Sequence, residues 1–257
     1  MKIATWNVNG IRARVEAVLN FLADQEPDVL CLQETKVVDE DFPREPLEQA
    51  GYECAFSGEK AYNGVALISG HPIKQVQAGF DEGEPRDAPR LIMGSVNRVP
   101  IINTYVPQGR DAASEHFRYK LDWFQRLRSF FDRNFTPRRR LIWVGDLNVA
   151  PEERDVYDPK GLKGHPDFHP DARAAMRRVV EWGFVDCFRL HDDRDGQYSF
   201  FDYRMPTALK ANHGWRVDHI HATRPLARKC TASYIDMAPR LREKPSDHTP
   251  LVAEFDL

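Results

Sequence analysis

An α/β layered sandwich is the fold class this sequence predicts, and three features carry the prediction. Strand-like and helix-like segments alternate along the chain. The strands are of two kinds, continuous apolar runs and polar–apolar alternations, which places helices outside packed sheets. No linker or shift in composition divides the chain. At 257 residues, 42% hydrophobic and 29% charged, it is long enough for one large core, so a single domain over 1–257 is expected.

The elements follow in order. Residues 2–6 read as a strand, after which Val15, Val18, Leu19 and Leu22 recur at helical spacing until Pro27 stops the pattern. Residues 29–32 form a short apolar strand, and 47–51 read as a helix end with Gly51 at its cap. Strands are expected at 64–69, 91–96 and 101–106, separated by Gly, Pro and charged turns. Leu121, Phe124, Leu127 and Phe131 mark an amphipathic helix over 117–131. Residues 141–147 read as a buried strand and 172–182 as a second clear helix ended by Gly183. From Val185 onward the pattern is mainly β with loops, including strands at 217–222 and 251–255. The stretch 154–170 is rich in Pro, Gly and charge without periodicity, and a loop of that length in a compact domain is more often functional than idle.

Composition narrows the function classes. No apolar run approaches the roughly 18 residues of a membrane helix, and residues 2–6 enter a strand where a signal peptide would otherwise stand. Cys31, Cys54, Cys187 and Cys230 are dispersed, with no zinc-like spacing, so reduced thiols in a cytoplasmic protein are expected. A net charge of −3 gives no global attraction to nucleic acid, yet leaves room for a local basic face from Arg12, Arg14, Arg110, Lys160 and Lys163. The run 138–140 of arginines reads as solvated surface.

Six polar cassettes stand beside apolar runs: TWNVNG, LQET, TYVPQG, GDLN, RVDHI and PSDHTP. They supply acids, amides and a histidine, an inventory suited to metal-assisted hydrolysis of a phosphodiester. Glu34 follows a buried strand and offers a hard oxygen to a magnesium-like ion, with Asn7 at a neighbouring strand end; alone, Glu34 reads first as a surface cap and Asn7 as a turn residue, and it is the pair that points to a metal. In GDLN, Gly145 permits close backbone approach, and strand alternation is expected to project Asp146 and Asn148 to one side. Asp146 can accept a proton from the attacking water, and Asn148 can hold that water or donate to a phosphoryl oxygen. Asp247 and His248 are adjacent on extended chain and so point apart. The better partner for His248 is Asp218, which would fix its tautomer and keep it protonated beside a phosphate. His219 and His221 read as core or surface strand residues rather than ligands, and Tyr105 serves equally as packing or as a hydroxyl donor.

With those residues in place, the chain resembles the exonuclease III family of apurinic/apyrimidinic endonucleases, within the DNase I-like superfamily. TWNVNGIR, LCLQETK, NTYVPQGR, WVGDLNVAP, FFDYR, GWRVDHI and KPSDHTPL occur in that family's order over residues 2–257. The resemblance implies a four-layer α/β sandwich, two packed mixed β-sheets flanked by helices, with the site at one end. It implies cleavage dependent on Mg²⁺ or Mn²⁺, 5′ to abasic sites in double-stranded DNA, with 3′–5′ exonuclease and 3′-end-cleaning activity, by a monomer. Carried over by position, Asn7, Glu34 and Asp247 form the metal end, joined by Asp146, Asn148 and His248 if a second metal position is used. Tyr105, Asp146, Asn148, Asp218 and His248 are the catalytic set, with either Asp146 or His248 as the base. Phe200, Trp215 and Val217 wall a pocket for the base-free sugar, and Asn9, Gln108 and Arg110 join them as substrate-binding positions.

The chain departs from its relatives at Asn9, where some carry Asp, at Phe200, where others carry Trp, and over 160–171 (KGLKGHPDFHPD), which brings His165 and His169. Two other function classes compete. A phosphodiesterase or phosphatase acting on inositol phosphates, sphingolipids or RNA tails can use the same acids, amides and histidine. A non-catalytic DNA-binding relative would lack at least one of Glu34, Asp146, Asn148, Asp218 or His248, and all are present.

Overall fold

The computed structural model describes residues 1–81 and 87–257. Among them, twelve strands form two six-stranded mixed sheets. The first runs in the order β11 (Cys230–Ile235), β12 (Leu251–Phe255), β1 (Lys2–Asn7), β2 (Val29–Gln33), β4 (Val65–Ser69), β3 (Glu53–Ser57). The second runs β5 (Lys74–Ala78), β6 (Leu91–Val96), β7 (Val99–Tyr105), β8 (Ile142–Asp146), β10 (Asp218–Thr223), β9 (Phe184–Asp186). Each sheet holds one parallel pair, β1 with β2 and β7 with β8; the remaining pairs are antiparallel.

The layers follow from alternation along the strands. Ile3, Val29, Cys31, Val65 and Leu67 of the first sheet meet Ile92, Ile101, Ile142, Val144 and Ile220 of the second in the central core. Their neighbours point outward. Ala4, Trp6, Leu30 and Leu32 pack with Val18, Phe21 and Leu22 of α1 (Val15–Gln25) and Leu47 of α2 (Arg44–Gln49). Ile102 and Trp143 pack with α3 (Glu115–Asn134) and α4 (Pro170–Val180). Helix, sheet, sheet, helix is the four-layer sandwich that the resemblance implied.

The inner face changes character at one end. Ile3 is followed two residues on by Thr5 and then Asn7; Ile101 by Asn103 and Tyr105; Val144 by Asp146; and Ile220 is preceded by Asp218. Four strands thus deliver polar side chains to the same end of the gap between the sheets. Just beneath, Gln33 Nε2 donates to Thr5 Oγ1 at 2.9 Å and to Asn103 Oδ1 at 2.6 Å, while Asn103 Nδ2 donates to the carbonyls of Leu32 and Ala66, each at 2.9 Å. This buried amide pair fastens one sheet to the other directly below the polar end.

Several elements differ from the sequence reading. Helix α3 extends to Glu115–Asn134 because Ser114 caps it, accepting from the Phe117 amide at 3.2 Å. Its core stripe is Phe117, Lys120, Phe124, Leu127 and Phe131, with Leu121 only half buried at its margin. Strand β8 stops at Asp146, short of Leu147. Strands β3 and β5 are edge strands, mostly exposed or half buried, and so carried no apolar pattern to read. Cys31, Cys54, Cys187 and Cys230 are free thiols, as expected. Among the described residues no helix is long and apolar enough to cross a membrane.

Candidate active site

Strand register builds the floor. Tyr105 and Asp218 are both direct cross-strand partners of Asp146, on opposite sides of β8, so the three side chains stand in one row on the inner face. Asn7, at the end of β1 in the facing sheet, closes over them: its Nδ2 donates to Asp146 Oδ2 at 2.9 Å and to Glu34 Oε1 at 2.8 Å. Gly145 allows the row to form. Its φ is +139°, and a Cβ there would lie 1.8 Å from the Thr104 carbonyl oxygen of the neighbouring strand.

Asn148 reaches the site by a route other than the expected alternation. The chain turns after Asp146, and Asn148 adopts a left-handed backbone with φ +47°, its amide donating to Asp146 Oδ1 at 2.9 Å. An Asx turn therefore projects the Asn148 side chain, which donates to the Val106 carbonyl at 2.9 Å. Glu34, Asn9 and Arg110 also have positive φ, at +51°, +46° and +54°. Backbone held in this sparsely populated region at four positions around one cavity marks a site whose geometry the surrounding fold imposes.

The histidine pairs as the sequence predicts. His248 Nδ1 lies 2.8 Å from Asp218 Oδ2, and its Nε2 lies 3.8 Å from Asp146 Oδ2. The main chain is held by Trp6 Nε1, donating to the His248 carbonyl at 3.2 Å, and by Ser246 Oγ, donating to the Asn7 carbonyl at 2.7 Å. Asp247 turns the other way and accepts from Asn9 Nδ2 at 3.0 Å.

The electrostatics are those of buried groups in contact. Burial opposes the imidazolium of His248, but Asp218 and Asp146 outweigh it and raise its pKa to about 10. Burial lifts the Asp146 carboxyl well above the ordinary carboxylate range; Asp218 and Glu34 add to the rise, against His248 and the Asn7 amide. Burial also works against the Glu34 charge, yet Lys36, 2.6 Å from Oε2, and Asn7 hold its pKa below the usual value. Burial and the nearby acids keep the Tyr105 hydroxyl protonated far above neutrality.

Above this floor opens a cavity of about 530 Å³. Glu34, Tyr105, Gln108, Arg110, Asn148, Asp247 and His248 line it on the polar side, and Phe200, Trp215 and Val217 form an apolar wall. Phe200 bridges to both Trp215 and His248, and its ring lies 4.7 Å from the imidazole, so wall and dyad share one contact. Asn7, Asp146 and Asp218 lie below, and Asn9 stands at the rim through Asp247 and Lys36. The structure thus brings together every site position named from the sequence. It adds Lys36, the Arg90 guanidinium 4.8 Å over the Tyr105 ring, and an outer wall of Tyr157, Leu162, His213 and Met205. The 160–171 segment, singled out by its unusual sequence, contributes His165, whose ring lies 4.7 Å from Trp215.

Whether a divalent metal fits can be judged from the donors. Glu34, Asp146, Asp218 and Asp247 supply hard oxygens, and Asp218 Oδ1 is buried without a partner. A carboxyl as costly to ionise as Asp146 is one that a bound cation relieves. The site fits an oxygen-seeking ion. Asp146, Asp218 and His248 also converge closely enough to share one. A second convergence, Asp186 with His219 and His221, already holds a cation: the buried Arg216 guanidinium lies 2.8 Å from Asp186 Oδ2 and 3.2 Å from His219 Nδ1. These two histidines belong to the core, as their strand positions suggested.

Two packed mixed sheets between helix layers, with acids, amides and a charged histidine at one end, define the DNase I-like class of α/β sandwich. The chain belongs to the endonuclease/exonuclease/phosphatase family, whose model matches residues 4–248. It is 34% identical over 267 residues to exodeoxyribonuclease III of Haemophilus influenzae, covering 99% of this chain and 100% of that one. Its fold matches an AP endonuclease from Archaeoglobus fulgidus with a TM-score of 0.98 at 47% identity, over 100% of both chains. It matches a 3′ phosphatase from Neisseria, bound to product DNA hairpin, with a TM-score of 0.95 at 34% identity, again over 100% of both.

Proposed function

We propose that the chain is a single-domain DNA repair nuclease, working as a cytoplasmic monomer with Mg²⁺ or Mn²⁺. It hydrolyses the phosphodiester 5′ to an abasic site in duplex DNA and also processes 3′ ends, as exonuclease and end-cleaning enzyme. The observation that carries this reading is the junction of two unlike surfaces in one cavity. Phosphate chemistry lies on the floor, and an apolar wall of Phe200, Trp215 and Val217 touches it through the Phe200–His248 contact. A lipid or inositol phosphate would use the floor alone. A bare deoxyribose turned out of the duplex uses both, since its apolar face packs against the wall while its phosphate meets the floor.

The roles follow from position. Asp146, whose ionised form His248 and the Asn7 amide favour, takes the proton of the attacking water. Asn148, beside it on the Asx turn, holds that water or donates to a phosphoryl oxygen. Water oxygen bonds to phosphorus as the bond to the upstream O3′ breaks, leaving a 3′-hydroxyl and a 5′-phosphate. His248, kept charged by Asp218, faces the negative phosphoryl oxygens, and the Tyr105 hydroxyl donates to them as charge builds. Glu34, Asn7 and Asp247 would hold the divalent ion, with Asp146 and Asn148 at any second position, which His248 could join only as the neutral imidazole. When bound, the ion supplies a Lewis acid that offsets charge on phosphoryl and leaving oxygens. Asn9, Gln108 and Arg110 hold the flanking backbone at the rim.

The test pairs a labelled duplex carrying one abasic-site analogue with an undamaged duplex bearing a recessed 3′ end, in Mg²⁺ and again in EDTA. Metal-dependent incision at the abasic position is expected, and the recessed duplex sets how much exonuclease accompanies it. Folded, metal-supplied protein that leaves both duplexes intact would send the search to other phosphate esters.

A further inference from the structure

Lys120 lies in the core stripe of α3 and is fully buried, an uncommon place for an ammonium group. Its Nζ donates to four acceptors: the carbonyls of Gln108 at 3.0 Å, Asn148 at 2.6 Å and Pro166 at 3.2 Å, and Asp167 Oδ1 at 2.9 Å. These belong to three separate loops, one after β7, one after β8, and the 160–171 segment. Asp167 completes the knot. Its other carboxylate oxygen accepts from Gln108 Nε2 at 3.1 Å, and its carbonyl accepts from the Ala150 amide at 2.7 Å.

The node acts on backbone whose side chains line the cavity. Asn148 carries a conformational cost for its left-handed φ, and its carbonyl, turned toward α3, ends on Lys120. Its amide meanwhile meets Asp146, so the Asn148 peptide units are gripped on both sides. Gln108 is held twice, by its carbonyl on Lys120 and its side chain on Asp167. The Asp167 amide meets His165 Nδ1 at 3.2 Å, which ties the Trp215 wall to the same point. Stability alone is a weak reason for such a pair, because apolar residues of similar volume often serve a buried position as well. Geometry at the cavity is the stronger one.

We infer that the buried Lys120–Asp167 pair is a positioning device for the reaction proposed above, setting where Asn148 stands at the reacting phosphate and Gln108 at the flanking backbone. Neither residue touches the substrate; both act through the loops they join. The inference rests on the nuclease reading, so wild-type protein is assayed alongside. Lys120→Met removes the charge and keeps the stem, and the near-isosteric Asp167→Asn covers the case in which the methionine variant fails to fold. For each, kcat and KM on the abasic duplex are measured below the variant's own Tm and scaled to the folded fraction. A displacement of order 1 Å in a catalytic group costs about a hundredfold in rate, so kcat is expected to fall by about 10- to 100-fold while KM, touched only through Gln108 at the rim, rises by less. Variants whose folded fraction turns over at the wild-type kcat would overturn the inference, leaving Lys120 a purely structural residue. Wild-type protein inert on the abasic duplex would overturn the nuclease reading and this inference with it.

Discussion

Replacing Asp218 with asparagine takes one charge out of the dyad while keeping its shape. In the wild type Asp218 is fully buried, with Oδ2 2.8 Å from His248 Nδ1, and its backbone amide is held by Ser199 Oγ at 3.2 Å. Two unit charges with centres about 4 Å apart at an effective dielectric near 20 interact by about 4 kcal/mol, enough to move a pKa by about 3. Asp146 remains 3.8 Å from Nε2, and an amide oxygen can still accept from Nδ1, so a fall of about 2 in the His248 pKa is expected. The sign is fixed by the raised pKa. His248 is charged below its folded pKa and loses charge as pH rises through it, near 10 in the wild type and closer to neutrality in the variant. Single-turnover incision of the abasic duplex in Mg²⁺, followed across pH, reads this directly. The basic limb should move down by about 2 pH units, so the rate should fall by about tenfold at pH 9 and change little at pH 7, where the variant's imidazole is still mostly charged. A variant whose basic limb stays in place, with the rate at pH 9 that of the wild type, would refute the charged-histidine role.

Other outcomes are tied to single contacts. Asp146→Asn should lower turnover by about three orders of magnitude with DNA binding nearly unchanged, as for any group that acts on the water rather than on the duplex; near-normal turnover would remove Asp146 from the chemistry. Glu34→Ala should raise the metal concentration needed for half-maximal rate, and an unchanged metal titration would take Glu34 out of the metal site. Arg216→Met leaves Asp155 and Asp186 short of the cation that now lies 2.7 and 2.8 Å from them. Breaking a buried pair in this way costs about 3–5 kcal/mol, or about 10 °C in Tm for a chain of this size. Arg216 depresses both carboxyl pKa values, so the stability it confers is present above their unfolded values and is lost as pH falls. The Tm gap between variant and wild type should therefore narrow in acid, and calorimetry at two pH values would show whether it does.

The strands that carry the chemistry were legible because each combines an apolar run with a polar end. Asn7, Tyr105, Asp146 and Asp218 all continue the inner-face alternation of their strands, so each was legible beside an apolar run, while their common end of the sandwich was implied by the family resemblance. The pairing of His248 with Asp218 followed from the opposite directions of adjacent extended residues. Asn148 illustrates the limit. It does stand at the site, but alternation gave the wrong reason, because a left-handed turn depends on what the carbonyl meets across the loop. Lys120 left only a faint trace: a lysine three residues after Phe117 and four before Phe124 interrupts an apolar stripe. Its acceptors come from three distant loops, which no local pattern links. Arg90 and the Tyr157–His213 stack were illegible for the same reason, since each matters through a neighbour remote in sequence. The edge strands β3 and β5 were missed because an edge strand has little apolar face to betray it.

The most direct test of the central claim is the fate of solvent oxygen. A duplex with one abasic-site analogue is incised to completion in water enriched in the heavy oxygen isotope, with Mg²⁺, and both fragments are weighed by mass spectrometry. If Asp146 directs water at phosphorus and O3′ leaves, the downstream fragment carries one heavy oxygen on its 5′-phosphate and the upstream fragment ends in an unlabelled 3′-hydroxyl. An unlabelled phosphate, or an unsaturated sugar left by elimination on the other side of the lesion, would contradict hydrolysis at this site.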